Sequence, residues 1–336
     1  MSTPTNSFSI MPDLARRMPR INSRWLWLWH VRYALRGLWR QIRVSRWATS
    51  LLGPQYRRSR DMIEIDITYL CNLHCLNCNR SVTQARDEMH MPLATVLKFV
   101  DDSIAGGKRW RRIRVLGGEP TLHPEFQSLV RELLRYRAWH SACIVEVVTN
   151  GYGGRVKREL AALPTEVLVD NSAKTTPVQP YFGPFNLAPV DDPKYRHTDY
   201  SNGCAVLEQC GMGLTPMGYY PCAVAGGIDR ILGENLGRAE LPDDADELEV
   251  ATSRLCSLCG RFRDGHFIPR ILRPELTEER VSATWEAMYE RWHASKTERT
   301  APDVLYSIRS GPNSQRNAEA VDNAKGANHD PSKTAR

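Results

Sequence analysis

At 336 residues and 42% hydrophobic composition, the chain can bury one large core, or one core with a small appendage. No run of 18 uncharged apolar residues occurs, and the first residues lack the apolar block and cleavage site of a secretory signal, so neither a membrane span nor export is expected. The formal net charge is +7, yet twelve arginines and no acid lie between Leu14 and Arg60, which leaves −5 for everything else: a basic leader on a mildly acidic body.

The leader, residues 1–60, opens with a Pro-, Ser- and Arg-containing arm that has little periodicity. Over 24–48 the spacing predicts a helix: Leu28, Val31, Leu35, Leu38 and Ile42 form one stripe and Arg32, Arg36, Arg40 and Arg43 the next. Five of the nine tryptophans lie here. Two readings stay open, a helix that packs its apolar stripe on the body with its arginines in water, and one that lies on a membrane surface. A transit peptide is a lesser reading. Nucleic acid is not an expected partner, because no recognition module accompanies the charge.

Ile63, Ile65 and Ile67 alternate with Glu64, Asp66 and Thr68, the pattern of a strand with two unlike faces, and the chain runs on into Cys71, Cys75 and Cys78. Three thiolates at CxxxCxxC spacing can converge on a soft metal centre, one ligand short of the four that a cubane cluster or a structural zinc takes. A helix over 92–106 and a strand over 112–116 follow, and the strand breaks at Gly117-Gly118-Glu119-Pro120, where glycines let backbone approach a ligand. Helices over 124–136 and 156–163 alternate with strands over 144–148 and 166–169, which end at Thr149-Asn150-Gly151 and Asp170-Asn171-Ser172. This alternation predicts an α/β fold with a parallel sheet and ligands at the carboxyl ends of its strands.

The cysteine run together with the GGEP sequence resembles the radical S-adenosylmethionine (SAM) family, although Asn77 stands before the third cysteine where that family commonly has an aromatic residue. The resemblance implies a partial parallel (β/α) barrel over 61–203. It also implies a [4Fe-4S] cluster on Cys71, Cys75 and Cys78 with one iron open for SAM. Gly117, Gly118 and Glu119 would seat the methionine, and Asn150, Ser172 and Lys174 would approach the ribose and carboxylate. An external electron donor of flavodoxin or ferredoxin type and an unidentified small-molecule or peptide substrate follow from it.

Residues 175–203 hold five prolines without a period and are expected to form a loop over the substrate side. Beyond it, over 204–300, stand Cys204, Cys210, Cys222, Cys256 and Cys259. The runs Cys210–Cys222 and Cys256–Gly260 resemble a SPASM or twitch extension, with an auxiliary [4Fe-4S] cluster on Cys210, Cys222, Cys256 and Cys259, while Cys204 replaces one of these or stays free. A four-thiolate zinc site is the alternative. Cys143, alone at a strand entrance, reads as a small buried hydrophobe. A closing helix over 277–293 carries Val281, Trp285, Met288 and Trp292 on one side, and 301–336 is polar and expected to be disordered. Clustered cysteines suit a reducing compartment, so the cytoplasm is expected, with membrane contact through 24–48 left open. The rival functions are a two-cluster electron carrier and a zinc-stabilised interaction protein, and the remaining length holds no cobalamin domain.

Overall fold

The computed structural model describes residues 25–172, 183–268, 272 and 278–297. Lys174, the start of the proline-rich loop, the N-terminal arm and the polar tail lie outside the described residues. Five parallel strands and one antiparallel strand form a single sheet in the order β4-β3-β2-β1-β5-β6. These are β1 (Met62–Thr68), β2 (Arg112–Gly117), β3 (Ile144–Thr149), β4 (Leu168–Asn171), β5 (Met212–Thr215) and β6 (Gly218–Tyr220). Among the helices, α1 (Leu26–Arg43) and α2 (Arg46–Leu52) precede the sheet; α3 (Leu93–Ala105), α4 (Phe126–Trp139) and α5 (Gly154–Ala161) connect its parallel strands. A second group, α6 (Val206–Gln209), α7 (Ala223–Leu232), α8 (Glu249–Cys256), α9 (Arg261–Asp264) and α10 (Ala283–Thr297), follows. This is the α/β, partial parallel barrel expected from the sequence. The hairpin β5–β6 comes from beyond Gly203, and β5 pairs with β1, so the cysteine-bearing C-terminal region extends the same sheet.

Every residue of β1 is buried, although its two faces differ chemically. Ile63, Ile65 and Ile67 join Ile113, Val115, Val145 and Val147 beneath α3 and α4 in one apolar core, where Cys143 also sits. The opposite face carries Glu64, Asp66, Arg114, Glu146 and Asp170, all buried. Charge at that depth requires partners, and it has them: Arg114 meets Glu64 at 2.5 Å, Glu146 at 2.8 Å and Asp170 at 3.3 Å. The alternation in β1 therefore separates an apolar packing face from a charged lining, not core from water.

A second core gathers Leu255, Ile228, Trp285, Met288, Tyr289 and Trp292, so the closing helix buries the side its pattern predicted. Phe185 and Ala188, from the described end of the proline-rich loop, belong to this core, and Tyr195 packs with Val44 under α1.

The leader helix departs from one reading. It breaks at Ser45, whose extended backbone and side chain cap α2 through the Ala48 amide. Its aliphatic stripe does not pack on the barrel: Leu28, Val31, Leu35, Leu38 and Ile42 are exposed, and the helix instead turns Arg40 inward, 2% exposed. The guanidinium of Arg40 donates to Gly203 O at 2.5 Å and Phe262 O at 2.9 Å and lies over the Phe262 ring. The Gly203 and Phe262 carbonyls give the buried guanidinium its acceptors, and the helix turns that side inward.

Candidate functional site

At the carboxyl end of β1 the chain turns after Thr68 into the loop that carries Cys71, Cys75 and Cys78, three partly exposed thiols. The end of β2 is stitched to this loop by backbone, with Gly118 N donating to Thr68 O and Glu119 N to Leu70 O, both at 2.8 Å. The approach explains the glycines. A Cβ on Gly117, where φ is +133°, would stand 2.2 Å from Thr68 O, and one on Gly118 would stand 2.2 Å from Leu70 O and 3.2 Å from Cys71 Cβ.

Glu119 is fully buried and its carboxylate is occupied within the protein. It accepts from Thr121 Oγ1 at 2.7 Å, Thr149 Oγ1 at 2.8 Å and Asn150 N at 2.8 Å, tying the ends of β2 and β3 together. Burial raises its pKa, against the pull of those donors. Asn150 is brought to the cysteine loop: its Nδ2 donates to Asn72 Oδ1 at 2.9 Å and lies 3.9 Å from Cys71 Sγ. The amide and hydroxyl of Ser172 both donate to Thr149 O at 2.9 Å, tying the end of β4 to the end of β3.

Three residues that hold the loop in place escaped the sequence reading. Arg80 reaches back to Glu64 and Asp66 inside the barrel. Arg230, on α7, donates to the carbonyls of Arg80 and Ala85 at 3.0 Å and lies over the Tyr69 ring. Glu279, just before α10, accepts from Asn77 N at 3.0 Å, Gln84 Nε2 at 2.9 Å and Asn186 Nδ2 at 2.7 Å. Nothing in the spacing of these residues marks them, because each acts across 14 to 202 positions of chain. Asn77 itself is 2% exposed with φ +49°, and neither polar atom of its side chain has a hydrogen-bond partner among the described residues.

Among the described residues no three His, Cys, Asp or Glu side chains are arranged to hold a single metal ion. The loop thiols nevertheless suit a cubane cluster, which offers each thiolate its own iron and so holds its ligands further apart than one ion does. Burial and the neighbouring Cys78, Cys75 and Glu119 push the Cys71 thiol up to about 12, so a cationic centre is what would bring it to thiolate.

Four of the five cysteines beyond residue 203 are brought together. Cys204, Cys222, Cys256 and Cys259 line a single apolar cavity together with Leu255 and Phe262. Burial and the close thiols of Cys204, Cys259 and Cys222 raise Cys256 well above the usual thiol range. Cys210 is not on this cavity. It is buried in the same second core as Cys204, Cys222 and Cys259, and burial, then Glu64 and Cys222 against Arg114, raise its thiol well above the usual range. The cause is local: α6 lies between Cys204 and Cys210 and delivers the latter into the start of β5, next to β1.

Residues 65–169, from β1 through the three cysteines and the glycine pair to β4, match the family model of the Radical SAM superfamily. The chain contains a radical SAM domain. This domain implies an iron-sulfur [4Fe-4S] cluster and SAM as cofactors. GTP 3',8-cyclase of Chlorobaculum tepidum is 30% identical over 113 residues, 34% of this chain and 32% of that protein. GTP 3',8-cyclase of Helicobacter pylori is 29% identical over 104 residues, 30% of this chain and 31% of that protein. The match thus spans about a third of the length of these curated relatives. Two solved structures of BtrN are also similar. One, in complex with AdoMet and 2-DOIA, has a TM-score of 0.37 and 14% identity over 61% of this chain and 94% of that chain. The other, in an open conformation, has a TM-score of 0.33 and 17% identity over 60% and 87%. The radical SAM domain places both glycine approaches and Asn150 around the cysteine loop at one end of the sheet, the end where ligands of parallel α/β sheets bind.

Proposed function

We propose that the protein cleaves SAM reductively and uses the resulting 5'-deoxyadenosyl radical to take a hydrogen atom from a C–H bond of its substrate. The observation that carries this reading is the loop with three thiols and the Gly118 backbone pressed against it at Leu70 and Cys71. Cys71, Cys75 and Cys78 would hold the cluster. When bound, that cluster passes one electron, drawn from an external donor, to the SAM sulfonium, which breaks to methionine and the 5'-deoxyadenosyl radical.

The chain's own contribution is placement. The Gly118 and Glu119 amides fix the lip of the site, Glu119 locks Asn150 beside Cys71, and Glu279 holds the Asn77 amide. The lining of paired Glu64, Asp66, Arg80 and Arg114 keeps the floor of the barrel polar yet internally neutralised, which suits a polar substrate better than an apolar one.

In the same reading, Cys204, Cys222, Cys256 and Cys259 hold an auxiliary [4Fe-4S] cluster of the SPASM or twitch kind, in place of the set that includes Cys210. Their convergence on one cavity supports it. A zinc ion on the same four thiolates is the competing occupant, and an electron carrier with two closed clusters is the competing function. Anaerobic reconstitution, iron and sulfide counting and an assay of 5'-deoxyadenosine release with dithionite test these together. About eight irons per chain and SAM-dependent release are expected. Zinc without iron, or two clusters without release, would overturn the reading.

A further inference from the structure

The face of the protein formed by α1 and α2 reverses the usual arrangement of a surface helix. Its inward side is polar and fastened: Tyr33 stacks on His266 with ring centroids 5.6 Å apart, Arg40 is clamped by the Gly203 and Phe262 carbonyls, and Arg43 donates to Gly53 O at 2.8 Å. Its outward side is aliphatic, with Leu28, Val31, Leu35, Leu38 and Ile42 recurring along 18 residues of helix, and Leu35 is 62% exposed. Trp27, Trp39 and Trp47 stand out of the same region at 60%, 58% and 69% exposure. Exposure of apolar side chains on this scale marks a surface made to be covered.

The charge on this face selects the occupant. Arg32, Arg36 and Arg46 are exposed beside the stripe, and no acidic residue occurs from Leu14 to Arg60. A protein partner would need an acidic rim around an apolar groove, whereas a lipid bilayer with anionic headgroups offers both at once: phosphates for the guanidiniums, acyl chains for the leucines and a boundary for the indoles. No described helix is long and apolar enough to cross a membrane, so the fit is to a helix lying flat. We propose that α1 and α2 dock this protein onto an anionic membrane surface, through the leucine stripe and the exposed tryptophans, with Arg32, Arg36 and Arg46 engaging lipid phosphates. Because Arg40 bolts α1 to Gly203 and Phe262, docking would set the second cysteine group on the membrane-facing side of the molecule.

Flotation of the full chain with vesicles of phosphatidylcholine, alone or mixed with phosphatidylglycerol, tests this. Binding to the mixed vesicles is expected, with a blue shift of tryptophan emission and loss of binding as salt is raised. Leu35→Glu with Leu38→Glu should lower the bound fraction at least about tenfold, since each change removes a large apolar side chain from the acyl layer. Arg32→Glu with Arg36→Glu should remove the preference for the anionic lipid. All four positions are exposed, so unchanged melting and iron content are expected in both variants. No flotation, equal binding to pure phosphatidylcholine, or flotation that survives both variants would overturn the proposal. So would absence of vesicle binding together with a concentration-dependent dimer in sedimentation velocity that Leu35→Glu dissociates, which would make a second copy the occupant.

Discussion

The guanidinium of Arg80, two positions after Cys78, lies 3.0 Å from the carboxylate of Asp66 and 3.1 Å from that of Glu64, with all three side chains at most 5% exposed. The cysteine loop is thereby anchored to the floor of the barrel by charge. Burial opposes the charge on Arg80, but Asp66 and Glu64 outweigh it and hold the guanidinium protonated. Replacing Arg80 by Ala strands a buried Asp66 carboxylate, and a cost of about 3–5 kcal/mol is expected. Urea unfolding of the purified protein measures it. Arg80→Lys should recover part of the loss, because one ammonium cannot satisfy two carboxylates in the guanidinium's geometry. A fully stable Arg80→Ala variant would show that the loop is held elsewhere.

Gly118 gives a sharper test of the loop. A methyl group there meets the Leu70 carbonyl at 2.2 Å, a backbone atom that cannot swing aside as a side chain would. Gly118→Ala should therefore displace the segment leading to Cys71. We expect lower iron retention and strongly reduced 5'-deoxyadenosine release, with the second cysteine group's metal content unchanged. The neighbouring Gly106→Ala, far from the site at the end of α3, serves as the comparison and should leave release intact. Equal release from Gly118→Ala and the native protein would separate the glycine from the site.

Cys204 and Cys210 are six positions apart and have opposite expected roles. Cys204→Ala should remove about four irons from the reconstituted protein, because its thiol faces the cavity it shares with Cys222, Cys256 and Cys259. Cys210→Ala should keep the full count and lose only the packing of a small buried side chain beside Glu64 and Arg114. Cys75→Ala is the counterpart at the first site, where SAM cleavage should disappear while the auxiliary absorbance stays. Iron lost from Cys210→Ala and kept in Cys204→Ala would restore the ligand set first read from the sequence.

Much of the fold was legible because it is encoded locally. The alternation in β1, the glycine breaks after β2 and β3, and the Trp285–Met288–Trp292 side of α10 are short-range patterns, and each element lies within a few residues of where the pattern puts it. What stayed hidden depends on distant chain. Arg40 looks like one more member of a solvent stripe until Gly203 and Phe262 supply carbonyls for it. That Cys204 lines one cavity with Cys222, Cys256 and Cys259 is set by segments up to 55 positions apart. Glu279 falls in the first turn of the helix read over 277–293, and only the fold shows it ahead of α10 with three donors converging on its carboxylate. Spacing locates thiols along the chain, but which four face one another is decided by packing.

The anchor of α1 carries a pH dependence whose sign follows from its surroundings. His266 is 5% exposed, its Nε2 has no hydrogen-bond partner among the described residues, and Tyr33 covers its ring. Burial, then the guanidinium of Arg36 and more weakly that of Arg40, lower its pKa to about 4, with Asp264 pulling the other way. In the fold the ring is therefore neutral from neutral pH down to about 4, whereas in the unfolded chain it takes a proton below about 6.5. The unfolded state binds more protons in that interval, so stability is full above about 6.5, falls as pH drops from 6.5 to 4, and levels off below. The shift corresponds to at most about 3–4 kcal/mol. His266→Gln keeps a planar polar side chain without the titration. Denaturant unfolding at pH 7 and pH 4.5 should show the native protein losing about 1–3 kcal/mol more than the variant over that interval. Parallel losses in the two proteins would mean that carboxylates alone set the acid sensitivity and that Tyr33 stacks on a ring that protonates freely.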